Sequence, residues 1–312
     1  MSSWTIIGYS VAGVSHVSRG RGCEDSHGWS QRSGVVCLVV ADGAGSQENS
    51  AIGSEAAVRA SLEWANMLGA DSALPLDMRQ CFESALESVV KHAEDEDVDT
   101  STLATTLGVV VIRGGRLHVG QVGDTIVIVR QDDGTLETVS PAEKFEYVNE
   151  TVFITSETAF DHLRLAEMDA ERVTGVALST DGLRFKILSD LEAYVPYEPF
   201  FEDVFTYAAG GRASNTAVAK FLDGLDDQSG DDKTLVVATL RAGVDVATDT
   251  EVVGPAVRIV EPNEPAPSSA SVSSPAEDPS GEVTNDPLPS EDTQNADDPA
   301  IEVPDRDGTD AG

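Results

Sequence analysis

The sequence predicts an α+β domain in which α-helices cover antiparallel β-strands. Helical patterns occur mainly before residue 100, whereas short strands separated by glycine-containing turns dominate from residue 103 onwards. This order favours a layered α+β domain over a doubly wound parallel sheet. No repeat of about 20 to 50 residues is visible, which argues against a solenoid. With 312 residues, of which 40% are hydrophobic, the chain can form a sizeable core.

A buried strand followed by an acidic glycine turn is the first unit that resembles a functional site. The apolar run 35–40 predicts a strand that is buried on both faces, and Asp42 and Gly43 follow after one residue. Glycine lets the backbone approach a ligand closely. The next helix is predicted to begin at Asn49 or Ser50, either of which can cap it. An Asp-Gly pair after a strand is usually only a turn, so the interpretation depends on recurrence of the pattern.

The remaining elements follow from apolar periodicity and turn residues. Two further helices are predicted over Pro75–Ala93 and Ala213–Leu222, and an acidic linker over Glu94–Asp99. The other predicted strands are Trp4–Ser10, Leu103–Ile112, Arg116–Gln121, Thr125–Arg130, Thr135–Val139, Val152–Thr155, Val173–Thr180 and Thr234–Leu240. The strands from 103 to 139 are predicted to form an antiparallel meander, because Gly-Gly, Gly-Asp and Asp-Gly pairs between them are hairpin signals. A stretch rich in proline and phenylalanine over 196–205 is expected to be irregular.

Charge is distributed unevenly along the chain. The formal net charge of −35 argues against nucleic acid or an anionic membrane surface as a partner. From Asp245 to the end there are 17 acidic residues against two arginines, and no aromatic residue follows Phe221. Such a segment cannot bury enough apolar surface to offset its chain entropy. We therefore expect a folded domain over residues 1–242 and a disordered acidic Pro/Ser-rich tail over 243–312. The tail is a solvating appendage, a partner-binding segment or a target of phosphorylation.

Cysteine usage and the amino terminus bear on the cellular compartment. Cys23, Cys37 and Cys81 show no metal-type spacing, and their odd number does not indicate a disulfide framework. The amino terminus lacks a basic region followed by an apolar one, and no apolar run approaches about 18 residues. These observations predict a cytoplasmic protein without a membrane span.

Acidic residues recur at strand ends or beside glycines. Four loops carry them: Glu24-Asp25, Asp42-Gly43, Asp181-Gly182 and Asp231-Asp232. Each loop alone has the ordinary interpretation of a solvated turn, but converging carboxylates repel one another unless cations hold them together. Oxygen ligands without His or Cys at metal spacing favour Mg²⁺ or Mn²⁺. Two such ions about 3.5–4 Å apart acidify a bridging water enough to attack phosphorus. The pattern therefore predicts metal-assisted hydrolysis without a covalent enzyme intermediate.

Four segments carry a family resemblance. In order, they are Cys23-Glu24-Asp25-Ser26, Val39-Val40-Ala41-Asp42-Gly43-Ala44-Gly45-Ser46, Ser179-Thr180-Asp181-Gly182-Leu183 and Asp231-Asp232-Lys233-Thr234. They resemble the motifs of the metal-dependent protein serine/threonine phosphatases of type 2C, the PPM family. Gly13-x-Ser15-His16 is similar to the first motif of the bacterial branch. The resemblance covers nearly all of residues 5 to 240. It implies a four-layer sandwich of two antiparallel β-sheets flanked by α-helices, with a dinuclear Mn²⁺ or Mg²⁺ site at one end.

The resemblance also implies a set of metal ligands. Asp42 is expected to bridge both ions, and the Gly43 carbonyl is expected to bind one of them. Asp181 and Asp231 are expected to bind the metal on one side. Asp25 is expected to hold the metal or its waters on the other side.

Further acidic residues are expected to act around these ligands. Glu24, together with Asp25, is expected to hold the metal or its waters. Asp232 stands where many relatives have Asn, and it is expected to support the ligands. Asp99 resembles the acid that binds a weak third metal. Gly123-Asp124 matches a family turn that is mostly structural.

Recognition of the substrate phosphate is where this chain departs from the family pattern. Many members place an arginine four residues before the motif glutamate, and this chain has Gly20 there. Arg19 and Arg21 flank that position, and either is long enough to bind phosphate. His16 is an alternative group, as a proton donor to the leaving alkoxide. The ordinary interpretation is that His16 packs under the loop and the arginines face water. Lys144–Ser156 falls where relatives carry a mobile flap.

Three functions agree with these observations to different degrees. The leading interpretation is hydrolysis of phosphoserine or phosphothreonine in proteins by a metal-activated bridging water, with a serine/threonine kinase as the opposing partner. The first alternative is a weakly active or inactive regulatory or scaffolding domain of the same fold, which the altered arginine position and the acidic tail keep open. The second is a phosphohydrolase of small molecules. The lack of an Asp-x-Asp-x-Thr motif and of a Walker-type glycine loop argues against it.

Overall fold

The computed structural model describes residues 4–69, 76–139, 151–210, 213–226 and 228–240. Within these ranges the chain forms two five-stranded antiparallel sheets, a two-stranded ribbon and six α-helices. This architecture confirms the predicted α+β sandwich. The acidic segment 243–312, Pro75 and residues 144–150 of the expected flap lie outside the described residues.

The described secondary structure begins with a strand and ends with a strand. The strands are β1 (Trp4–Val11), β2 (Ser26–Arg32), β3 (Val35–Ala41), β4 (Leu107–Arg113), β5 (Arg116–Val122), β6 (Ile126–Gln131), β7 (Leu136–Thr138), β8 (Arg164–Asp169), β9 (Val173–Ser179), β10 (Leu188–Asp190), β11 (Val195–Pro196) and β12 (Lys233–Leu240). The helices are α1 (Val14–Ser18), α2 (Ser50–Asn66), α3 (Met78–Glu96), α4 (Arg184–Ile187), α5 (Glu198–Ala209) and α6 (Asn215–Asp223).

Four layers follow from the sheet order and the buried side chains. One sheet has the order β2-β3-β4-β5-β8, and the other has the order β1-β12-β9-β6-β7. In β3, Cys37 and Val39 pack with α2 and α3, whereas Leu38 and Val40 pack with the second sheet. Both faces of β3 are therefore buried, as its continuous apolar run predicts. α5 and α6 cover the outer face of the second sheet.

Glycines within the strands let the helices approach each sheet closely. A Cβ at Gly120 of β5 would lie 2.5 Å from the Phe82 ring of α3. A Cβ at Gly175 of β9 would lie 2.6 Å from the Phe205 ring of α5. Each fully buried phenylalanine thus packs directly on strand backbone, where it removes a large apolar area from water.

The predicted meander over 103–139 is wrong at its middle turn. β5 pairs with β8 in one sheet, whereas β6 pairs with β9 in the other. Gly123-Asp124 therefore carries the chain between sheets instead of closing a hairpin. Gly123 has a φ of +101°, and a Cβ there would lie 2.6 Å from Thr106, so glycine suits this crossover. Turn residues specify that the chain changes direction, but they do not specify the sheet it enters next.

Other differences from the predicted elements are local. The stretch expected to be irregular forms α5, with Pro199 in its first turn. Residues 152–155 form no strand, although the Ile154 amide donates to the Thr105 carbonyl at 2.9 Å. A 3₁₀ turn over Thr100–Leu103 precedes β4, which begins at Leu107. β2 and β8 were not predicted.

Antiparallel pairing brings the acidic loops to one end of the sandwich. Ser26 at the start of β2 lies opposite Ala41 at the end of β3. Ser179 at the end of β9 lies opposite Leu235, near the start of β12. In the described ranges, no helix combines the length and apolar character needed to cross a membrane.

Candidate metal centre

The structure brings the four predicted acidic loops together around Asp42. Asp42 follows β3, Asp181 follows β9, Asp25 precedes β2, and Asp231 precedes β12. Burial raises the pKa of the Asp42 carboxyl well above its usual range, and the negative charges of Asp25, Asp181, Asp124 and Asp231 raise it further. These carboxylates are therefore close enough to repel one another.

Backbone contacts fix the position of Asp42. Its amide donates to Thr106 Oγ1 at 2.9 Å, and its carbonyl accepts from Thr105 Oγ1 at 3.0 Å and from the Thr106 amide at 2.8 Å. A Cβ at Gly43 would lie 2.6 Å from the Glu24 carbonyl. The loop after β3 therefore packs directly on the backbone of the first motif, which only glycine permits at this position.

Two hydroxyl groups orient Asp25. Its Oδ2 accepts a hydrogen bond of 2.7 Å from Thr180 Oγ1 and another of 2.7 Å from Thr234 Oγ1. Burial and the charge of Asp232 raise the pKa of Asp25 well above its usual range, and the two hydroxyls lower it. Thr180 and Thr234 thus favour the ionised carboxylate in an otherwise unfavourable environment.

Asp181 interacts with Asp42 and with Asp124, a carboxylate that the sequence assigned to a structural turn. The pKa of Asp181 is raised to about 7, mainly by burial and then by the negative charges of Asp124 and Asp231. A hydrogen bond with Asp42 opposes this rise. Burial also raises the pKa of Asp124, and Arg184 and Arg164 lower it. Asp124 therefore belongs to the cluster. The signal that would have identified it is the acidic residue beside a glycine after a buried strand, the same pattern that identified Asp42.

Two neighbouring side chains hold the carboxylate of Glu24 in place. Arg21 lies 2.5 Å from its Oε1, and Ser50 Oγ donates to its Oε2 at 2.9 Å. Arg21 also donates to the carbonyls of Gly45, at 2.6 Å, and Gln47. The pKa of Glu24 is raised by burial and lowered by Ser50. Both carboxylate oxygens of Glu24 and the guanidinium of Arg21 are thus committed to contacts within the loops.

Asp232 connects the last acidic loop to the first. Its Oδ1 accepts the Gly13 amide at 2.8 Å, and its Oδ2 accepts the Glu24 amide at 2.5 Å. Its side chain is only 2% exposed. The short helix α1 and the first motif are therefore both bonded to this one carboxylate.

The remaining predicted residues differ in how close they lie to the cluster. His16 is buried, and its Nδ1 lies 3.0 Å from Asp232 Oδ1 without the geometry of a hydrogen bond. Its Nε2 lies 3.8 Å from Asp231 Oδ1, which is beyond hydrogen-bond distance. The Asp231 side chain is 45% exposed. Arg19 is exposed. Asp99 is exposed and caps the 3₁₀ turn by accepting the Ser101 amide at 2.8 Å, so the structure does not bring it into the cluster.

The donor set fits a hard divalent cation. All of the converging side chains offer carboxylate oxygens, and among the described residues the buried Oδ1 of Asp181 has no hydrogen-bond partner. A Cβ at Gly182 would lie 1.8 Å from the Asp232 carbonyl, so two of the acidic loops meet backbone to backbone. Within the described ranges, no three His, Cys, Asp or Glu side chains form a ready-made cage. An ion would therefore have to draw the repelling carboxylates closer together.

Comparisons with known proteins identify the family of the chain. The family model for protein phosphatase 2C matches residues 12–223. Serine/threonine-protein phosphatase 3 of Escherichia coli is 28% identical over 255 residues, which cover 76% of this chain and 98% of that protein.

Two solved structures show the same fold. A bacterial serine phosphatase matches with a TM-score of 0.54 at 14% identity, over 78% of this chain and 100% of that chain. PppA from Pseudomonas aeruginosa matches with a TM-score of 0.52 at 21% identity, over 77% of this chain and 98% of that chain. At these identities the two structures support the architecture alone, whereas the family model covers more than half of the sequence. The chain belongs to the protein phosphatase 2C family.

Proposed function

We propose that the protein hydrolyses phosphoserine and phosphothreonine in protein substrates and depends on Mn²⁺ or Mg²⁺. The observation that carries this proposal is the convergence of carboxylates from four separate loops around Asp42, where burial and mutual repulsion raise their pKa values. Carboxyl groups with raised pKa values cluster at functional sites, and a bound cation would relieve their mutual repulsion.

The acidic residues divide into those that bind the ions and those that support them. Asp42, with the Gly43 carbonyl, occupies the centre, and Asp25, Asp181 and Asp231 complete the ligand set. When bound, Mn²⁺ or Mg²⁺ lowers the pKa of a water and stabilises charge on the phosphoryl oxygens.

A second set of acidic residues supports this centre. Glu24 orders the loop and the waters near the ions, and Asp232 holds the first motif in place. The nearness of Asp124 to Asp181 makes this pair the better candidate for a weak third cation, in place of Asp99.

Arg19 is the better candidate for contact with the substrate phosphate. Arg21 is already bonded to Glu24 and to two backbone carbonyls, whereas the Arg19 side chain is exposed beside α1. A guanidinium suits a phosphate because it can donate two parallel hydrogen bonds. We assign His16 a positioning role against Asp231 and Asp232, because it is buried between them.

The domain organisation and cellular setting are part of the proposal. We propose residues 1–242 as the catalytic domain and 243–312 as an acidic Pro/Ser-rich appendage to it. We propose a cytoplasmic location, phosphorylated proteins as substrates and an opposing serine/threonine kinase as a partner.

One specific observation favours a second function. Gly20 stands where many relatives carry a phosphate-binding arginine, and Arg21 is committed elsewhere. A weakly active regulatory or scaffolding domain would also retain metal-binding loops without efficient turnover.

Hydrolysis of a phosphothreonine peptide and of p-nitrophenyl phosphate, with Mn²⁺ and with EDTA, separates these functions. The wild type should be active only with Mn²⁺, and Asp42→Asn should lose at least about 100-fold in kcat because a central ligand is lost. Asp95→Asn, which changes an exposed aspartate of α3, serves as the matched control. A folded wild type that binds Mn²⁺ without turnover would favour the scaffolding function.

A further inference from the structure

A pocket of about 610 Å³ lies beside the Glu24-Asp25 loop. Residues of β1, β2, α2 and α6 form its walls together with the loop from Arg21 to Asp25. Its volume is within the range of pockets that bind small ligands or single side chains. Asp25 and Glu24 line the pocket and also have roles in the proposed metal centre, whereas the residues from β1, α2 and α6 have none there.

The charge of the pocket is predominantly negative. Four carboxylates line it, from Glu24, Asp25, Glu48 and Glu55. Arg21 is the one Lys or Arg among the lining residues, and its guanidinium is bonded to Glu24 and to backbone carbonyls. The pocket therefore attracts cations and disfavours anions such as phosphate.

The walls between these carboxylates are apolar. Ala51 and Ile52 of α2 face the pocket together with Ala219 of α6 and Tyr9 of β1, and the Ile52 side chain is 40% exposed. An aliphatic chain would cover this apolar surface while its charged end reaches the carboxylates. Lysine and arginine side chains combine these two properties.

A chain of hydrogen bonds connects the pocket wall to the metal centre. His27 lines the pocket, and its Nδ1 lies 2.8 Å from Ser10 Oγ. Ser10 Oγ lies 2.7 Å from Thr234 Oγ1, which also donates to Asp25 Oδ2 at 2.7 Å. His27 is buried, and among the described residues its Nε2 has no hydrogen-bond partner. The wall thus contains an unsatisfied polar atom at the end of a continuous polar chain.

We propose that this pocket binds an aliphatic cation, an alkyl guanidinium or alkyl ammonium group. The group comes either from an arginine or lysine side chain of a polypeptide or from a free amine. The site lies beside the metal centre of the proposed function, with which it shares Glu24 and Asp25 but not Asp42, Asp181 or Asp231.

Titration with n-butylguanidinium by isothermal calorimetry tests the proposal. The wild type should bind the probe saturably, and Glu48→Gln and Glu55→Gln should each weaken binding about tenfold, since each removes one facing charge. Glu83→Gln is the matched control, because Glu83, like Glu55, pairs with an arginine four residues away on a helix but does not line the pocket. Asp42→Asn should leave binding unchanged within about twofold, which separates this site from the metal centre.

Two further arms complete the experiment. Ala219→Leu fills the pocket from α6 and should abolish binding, provided that circular dichroism shows a folded protein. A peptide with a central arginine that binds at least about tenfold more tightly than the free probe would identify a polypeptide as the source, whereas equal affinity would identify a free amine. Absence of saturable binding to the folded wild type would overturn the proposal, as would an equal loss in Glu83→Gln.

Discussion

The carboxylate of Asp232 accepts a hydrogen bond from the backbone amide of Glu24 at 2.5 Å, although the two residues are 208 positions apart in the sequence. The contact joins the loop before β12 to the first acidic motif, and a second bond to the Gly13 amide extends it to α1. The metal centre therefore depends on long-range hydrogen bonds between loops as well as on the carboxylates themselves.

Replacement of Asp232 should destabilise the protein. Asp232→Ala leaves the buried amides of Gly13 and Glu24 unpaired, which should cost on the order of 2 kcal/mol or more in the free energy of unfolding. Relief of the repulsion between Asp232 and Asp25 offsets part of this loss. Asp232→Asn keeps one acceptor oxygen, so its free energy of unfolding should lie between those of Asp232→Ala and the wild type. Urea unfolding measures the difference, with exposed Asp223→Asn as the control, and an unchanged midpoint for Asp232→Ala would refute the role.

The stability of the metal-free protein should decrease as pH rises from about 4 to 7. The pKa of Asp181 is about 7 in the folded chain, above its unfolded value, so the folded state binds more protons in this window. One pKa unit corresponds to about 1.4 kcal/mol, so ionisation of Asp181 should destabilise the folded state by an amount on the order of 4 kcal/mol. This loss of stability is absent below the unfolded pKa and complete above the folded one. Unfolding in EDTA at several pH values should show a weaker slope for Asp181→Asn, and equal slopes would contradict the prediction.

The hydroxyl of Thr234 should affect ion binding without being a ligand. Thr234→Val removes a hydrogen bond that orients Asp25, and the loss of such supporting contacts typically lowers metal affinity about 10–100-fold. Thr174→Val removes a hydroxyl near the start of β9, at the end of that strand away from Asp181, and should leave the affinity for Mn²⁺ unchanged. Calorimetric titration with Mn²⁺ measures both variants. Equal affinities for Thr234→Val and wild type would show that Asp25 is not oriented by this contact.

The two arginines of the first loop should differ in kinetics and stability. Arg21→Ala loses bonds to Glu24, Gly45 and Gln47, so it should lower both the unfolding temperature and kcat. Arg19→Ala should leave the unfolding temperature unchanged and raise KM for a phosphopeptide about tenfold or more. A raised KM in Arg21→Ala but not in Arg19→Ala would instead show that Arg21 leaves its loop contacts to bind substrate.

The part of the site that is predictable from sequence has a local signal. Asp42 follows an uninterrupted apolar strand and Asp181 follows a mainly apolar one, and each precedes a glycine, so strand, turn and carboxylate are visible within about ten residues. Asp124 has a similar setting, but the turn was interpreted as a hairpin. Its contribution to the cluster depends on the crossover between sheets, which no local pattern encodes.

β2 was missed for a different reason. Its sequence is mainly polar, yet Ser26, His27 and Ser30 are buried within it. Ser26 Oγ lies 2.8 Å from Ser54 Oγ of α2, so hydrogen bonds across the layer satisfy polar groups that periodicity would place at the surface. Such a strand is recognisable only when its partners are known.

Thermal unfolding of wild type and Asp42→Asn, in EDTA and in millimolar Mn²⁺, tests the metal centre most directly. In EDTA the variant should be the more stable protein, because it lacks one of the mutually repelling carboxylates. In Mn²⁺ the wild type should be stabilised by about 2.7 kcal/mol at a concentration 100 times its Kd, whereas the variant should gain little. The order of stability of the two proteins should therefore reverse between EDTA and Mn²⁺. A wild type whose unfolding temperature does not respond to Mn²⁺ or Mg²⁺ would rule out the proposed metal centre.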